Sequence, residues 1–127
     1  MVLFSASPAA ELNMENKMNV VVLRGTLTGE PIERTLASGV TVTNWDVESE
    51  QSGVVHKVPV QWEDADRRVQ AFDQGDAVVV LGVVRRRFFQ TGGATAARTE
   101  VVGQTAAKPT QKVAVAKLFD QARSLLS

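Results

Sequence analysis

The sequence predicts a small, mainly-β protein, a five-stranded Greek-key barrel with one helix between the third and fourth strands. Three observations carry that prediction. Five stretches place apolar residues at the two-residue period of strands. One stretch, Asp64 to Asp73, places them at helical spacing instead. Turn-forming residues separate the segments, above all Thr91-Gly92-Gly93.

Asn19 to Leu27 is rich in β-branched residues, and Gly25 points to a bend or bulge within it. Glu30-Pro31 ends that strand. Ser38-Gly39 opens the next, Val40 to Glu48. There Val40 and Val42 share one face, and Trp45 and Val47 share the other, so a bulge is expected near Thr43-Asn44. Gln51 to Gly53 reads as a turn. In Val54 to Trp62, the residues Val54, His56, Val58, Val60 and Trp62 fall on one face. Pro59 cannot donate to a ladder and puts that part at an edge or bulge. In the helical stretch Ala65, Val69 and Phe72 form one stripe, with Asp64 as the expected cap and Gly75 as the terminator. Ala77 to Phe89 is a long strand, and Thr95 to Val102 returns from the glycine turn as the fifth. The order β-β-β-α-β-β is the plan of the OB-fold, a small Greek-key barrel. Alternation does not by itself close a barrel, and an open α+β sandwich fits the same order.

After Gly103 the chain turns polar. Val113 to Leu126 is then weakly amphipathic through Val115, Leu118, Ala122 and Leu125. Such a helix docks on the domain or on a partner, or forms only part of the time, because short isolated helices are marginal. The chain's 127 residues suit one domain. The expected organisation is a disordered leader over 1–17, an OB domain over 18–105, and a polar linker with the amphipathic helix over 106–127. Met1 to Lys17 lacks the basic start of a signal peptide, and its short apolar run is broken by Ser5, Ser7 and Pro8. Met14 and Met18 are alternative start sites.

Composition narrows the chemistry. Without cysteine there is no disulfide, no thiolate nucleophile and no Cys-ligated zinc. His56 is the sole histidine, a poor basis for a metal site or for catalysis. Glu63, Asp64 and Asp66 cluster where a helix begins and are read as first-turn acids rather than metal ligands. No cofactor and no metal are therefore expected, and no enzyme activity. No apolar run approaches the roughly 20 residues that cross a bilayer, so no membrane partner is expected and the location is read as cytoplasmic.

Formal net charge is zero, but the charges are not spread evenly. Between Ala77 and Leu118 seven bases face one acid, Glu100. A local field of one sign attracts a polyanion whatever the total; a solvated face paired with acids elsewhere is the alternative. The densest part is Arg85-Arg86-Arg87-Phe88-Phe89, with Arg98 on the returning strand. Alternation puts Arg85, Arg87 and Phe89 on one face, and Arg86 and Phe88 on the other. Phenylalanines on a projecting hairpin suit base stacking, and the cations suit phosphates. Trp45 and Trp62 are open to two readings, core packing or stacking. Arg24 and Lys57 are further candidates for phosphate contact, although Arg24 equally suits an interchain ion pair. Phe72 and Phe119, on helical stripes, are read as packing.

Asn19-Val20-Val21-Val22-Leu23-Arg24-Gly25-Thr26-Leu27 followed by Pro31 resembles the opening of bacterial single-stranded-DNA-binding proteins. So do His56-Lys57-Val58 leading to Trp62, Gly75-Asp76 before Val78-Val79-Val80-Leu81-Gly82, and Arg98-Thr99-Glu100-Val101-Val102. The resemblance spans Met18 to Thr105. The Arg85-to-Thr95 hairpin looks most like short actinobacterial paralogues. The resemblance implies an OB barrel, a homotetramer formed partly through the first strand, and sequence-independent binding and protection of single-stranded DNA in replication, recombination or repair, in association with the nucleoid. It puts stacking aromatics at Trp45, near Trp62, and at Phe88 or Phe89. Replicative members end in an acidic tail that recruits repair enzymes; from Lys108 onward this chain has four bases and one acid, so that recruitment is not expected. An RNA-binding OB module and an oligomeric protein-interaction module without nucleic acid are the rival readings.

Overall fold

The computed structural model describes residues 17–127, and the expected leader lies outside the described residues except for Lys17. The strands are β1 (Val21–Leu27), β2 (Ile32–Thr35), β3 (Thr41–Gln51), β4 (Val54–Glu63), β5 (Ala77–Thr91) and β6 (Ala94–Ala107). A short helix α1 (Arg67–Gln70) lies between β4 and β5, and a longer one, α2 (Lys112–Leu125), follows β6. The strand order is β1-β5-β6-β4-β3-β2, and β1 also pairs with β3 at Thr26↔Glu48 and Leu27↔Val47. That last pairing closes β1, β5, β6, β4 and β3 into a five-stranded barrel. β4 and β6 run parallel, and the other pairs are antiparallel. The protein is thus an OB-fold and not an open sandwich. β2 lies outside the barrel on the edge of β3. Sequence patterning misses it because its four residues are all exposed and carry no alternation of burial.

Closure requires β1 and β3 to approach closely. A Cβ on Gly25 would collide with the carbonyl oxygen of Glu48. The glycine expected to mark a bend therefore marks the seam of the barrel. The bulge expected at Thr43-Asn44 is absent, since β3 and β4 pair without a break from Val42↔Glu63 to Gln51↔Val54. β3 is buried on both sides there, Val42 on one and Thr43 and Trp45 on the other, which imitates a phase change in the sequence. The register shift lies instead opposite Leu81 and Gly82, which face Thr105 and Gly103 and leave Gln104 as the extra residue. Pro59 sits in β4 just before its pairing with β6 begins at Val60, at an otherwise open edge.

The interior is filled by Leu27, Trp45, Val47, Val60, Trp62, Val78, Val80 and Val101, with Val69 and Phe72 entering from α1 and the turn after it. α1 is shorter than the helical stripe predicts, because one turn is enough to seat those two side chains. Its cap is Asp66, whose carboxylate accepts the Val69 N–H at 3.0 Å. Asp64, the expected cap, has a φ of 49° and accepts the Thr41 N–H at 3.1 Å, tying the exit of β4 to β3. Gly103 lies flat against the Trp62 ring, and a Cβ there would come within 2.6 Å of it. Gly103→Ala is expected to destabilise the fold by about 1–3 kcal/mol through overpacking, read as a lower urea midpoint with an unchanged slope.

A second apolar layer lies outside the barrel. Leu118 and Ala122 of α2 are buried against Val79, Leu81 and Ala107, with Val20, Ala114 and Val115 around them. The amphipathic segment docks on its own domain, and β6 runs on through buried Ala106 and Ala107 to reach it. Phe119 lies at the margin of this layer beside Val20, Val22 and Ala122 and is half exposed; of the two phenylalanines expected to pack, only Phe72 is fully buried.

Candidate nucleic-acid interface

The hairpin joining β5 and β6 turns through Gly92 and Gly93, whose φ values of 56° and 82° give the two-residue turn that suits the twist of paired strands. Support from the barrel ends well before the tip. β1 leaves β5 at Val21↔Gly82, and β4 meets β6 only at Val60↔Val101 and Gln61↔Val102. From Arg85 and Glu100 outward the hairpin is a two-stranded ribbon, roughly 20 Å long at the rise of a strand, with both faces open.

Arg86 lies over the ring of Phe88 at 5.3 Å, and Arg87 lies over that of Phe89 at 5.6 Å. These are the two faces that alternation predicts. Phe88 is 64% exposed and Phe89 38%. Across the ribbon each ring is opposed by an alanine, Phe88 by Ala97 and Phe89 by Ala96, which leaves space beside both. Arg98 stands directly opposite Arg87.

The root of the ribbon is held by Glu100, a carboxylate almost fully buried among cations. Arg85 donates to Glu100 at 2.6 Å, and also to Gln61 and to Glu63; Arg87 donates to Glu100 at 3.3 Å. Gln61 in turn donates to Asn44 at 3.4 Å. A line of polar groups thus runs from β3 across β4 and β6 to β5. Burial opposes ionisation of Glu100, but the bonds and charge of Arg85 and Arg87 outweigh it and hold its carboxyl below the usual carboxylate value. The bond to Glu100 raises Arg85 above the ordinary arginine value against desolvation. A carboxyl so depressed stabilises the fold above its unfolded value, about 4.3, and that contribution is lost as pH falls through the folded value. Glu100→Gln is therefore expected to be less stable at neutral pH by about 1–3 kcal/mol. Its denaturation midpoint should converge with that of the wild type under acid.

The structure gathers Arg85, Arg86, Arg87, Phe88, Phe89 and Arg98 on one ribbon and separates the other candidates from it. Trp45 and Trp62 are 2% and 3% exposed inside the barrel. Neither offers a ring face to a base, and their candidacy for stacking is corrected to core packing. Arg24 is exposed on β1 opposite Val79, six residues or about 20 Å along β5 from Arg85. Lys57 is exposed on β4, three residues before the first β4–β6 pair at Val60↔Val101. It is paired opposite Glu48. Gln61, Glu63 and Asn44 were missed as members of this face. The one available signal was Gln61, a polar residue between Val60 and Trp62 in an apolar strand.

Among the described residues no group of acids and histidine is arranged to hold a metal ion, and no helix is long and apolar enough to cross a membrane. No protein-family model and no curated protein matches the chain. The architecture is the OB barrel found among single-stranded-DNA-binding proteins in general, a scaffold for nucleic-acid or protein binding. On this barrel the ribbon carries two exposed rings, each beneath a guanidinium, with space beside each for a flat ligand.

Proposed function

We propose that this protein binds single-stranded DNA without reading its sequence, and so coats and protects strands exposed in replication, recombination or repair. The observation that supports this best is the pair of exposed phenylalanines, each under an arginine, on a ribbon the barrel does not need for its own core. Exposed aromatic rings beside cations are what single-strand binding uses, since every base has a π-face. A purely structural ribbon gains nothing from two solvated phenylalanine rings. Binding rather than catalysis is the role proposed, with no cofactor, in the cytoplasm beside the nucleoid.

Self-association is part of the proposal. Among the described residues no strand pairs with the second edge of β1 from Val21 to Gly25, and an open edge invites a second copy. A homotetramer is the proposed assembly. Recruitment of repair enzymes by the C-terminus is not proposed, because α2 packs on the barrel through Leu118 and Ala122.

Fluorescence anisotropy of end-labelled oligo-dT, titrated at several salt concentrations, tests the reading. Arg86 and Arg98 make no ion pair among the described residues and Arg87 exchanges Glu100 for phosphate, whereas Arg85 is held by three acceptors. At about 0.7 per phosphate contact on single strands, the log–log salt slope is expected near −2 for each ribbon. Matched RNA binding more tightly than DNA moves the function to RNA. Absence of binding at low salt ends the nucleic-acid reading.

A further inference from the structure

We propose that the ribbon carries two single-strand sites back to back, so that one protomer holds two segments of single-stranded DNA at once. This rests on the function proposed above and extends it. Past Glu100 no third strand pairs with β5 or β6 among the described residues. Successive side chains of a strand point to opposite sides, and the ribbon repeats the same apparatus on each. One side has Arg86 over Phe88 with Ala97 beside the ring; the other has Arg87 over Phe89 with Ala96 beside it. A base lying on Phe88 cannot touch Phe89, because the backbone of the ribbon lies between the two rings. A single site would need only one of these sets.

The sides differ in charge. Arg86 makes no ion pair among the described residues, whereas Arg87 shares Glu100 with Arg85 and has Arg98 across from it. A phosphate on the Phe89 side must compete with Glu100 for Arg87. The segment on that side, which engages Arg87 and Arg98 where the other engages Arg86, accordingly has the steeper salt dependence. Two strands held on one ribbon lie close together, which is the arrangement that annealing of complementary strands requires.

The test is stoichiometry with an oligo-dT of about six nucleotides, within the range a single OB domain accommodates and short enough to favour one face. Isothermal titration of the full chain should give two oligonucleotides per protomer. Phe88→Ala and Phe89→Ala should each give one, since both residues are exposed and the variants keep the wild-type melting temperature. Annealing of complementary oligonucleotides should be accelerated by the wild type and not by either variant. One oligonucleotide per protomer in the wild type, with both substitutions weakening that same event, overturns the two-site proposal while leaving single-strand binding intact. No binding to any oligonucleotide overturns both.

Discussion

Replacing Phe88 and Phe89 together with alanine should cost this protein most of its affinity for oligo-dT and almost none of its stability. Each ring that stacks on a base is worth about 1–3 kcal/mol by alanine substitution. With one ring in each site, each binding event loses about 1–3 kcal/mol, a fall in affinity of at least roughly fivefold at both sites. Neither ring belongs to the barrel core or to the layer under α2, so the melting temperature should stay within the small range of surface substitutions. Anisotropy titration and thermal denaturation of the same preparation check both halves. Unchanged affinity in a folded double variant would remove the ribbon from the interface, and with it the main support for the proposed function.

Trp45→Ala should do the reverse. The Trp45 ring meets Trp62 edge-on at 5.0 Å and Phe72 at 5.3 Å, in the middle of the barrel. Truncating a buried tryptophan removes about 3–5 kcal/mol, a large share of the 5–15 kcal/mol that holds a typical domain together. A strongly lowered urea midpoint is expected. The fraction that remains folded should bind oligo-dT as the wild type does. The indole N–H groups of Trp45 and Trp62 find no partner among the described residues, which offsets part of what the rings contribute. Trp45→Phe is therefore expected to be much milder than Trp45→Ala. For the same reason, DNA binding should change the intrinsic tryptophan fluorescence little, because neither ring is where a base can reach it.

The contrast between these two substitutions shows where sequence reading stops. Alternation along Arg85 to Phe89 was sufficient to assign Arg86 and Phe88 to one face and Arg87 and Phe89 to the other, because side-chain direction in a strand is a local property with period two. The five barrel strands and the two-glycine turn were legible for the same reason. Trp45 and Trp62 were not resolved, since periodicity divides a strand into two faces without saying which of them a closed barrel turns inward. The expected bulge in β3 failed similarly: burial on both faces and a change of phase leave the same pattern in a sequence.

The sequence by itself determined that this chain is a curved β protein with one long, cationic, aromatic hairpin, because turn chemistry and alternation act between neighbours in the chain. Only the tertiary structure decided that Glu100 takes up Arg85 and much of Arg87, that the tryptophans fill the core, and that α2 packs on its own barrel. Those outcomes depend on which residues register and closure bring together across 13 positions of chain or more, a distance over which local preference carries no information.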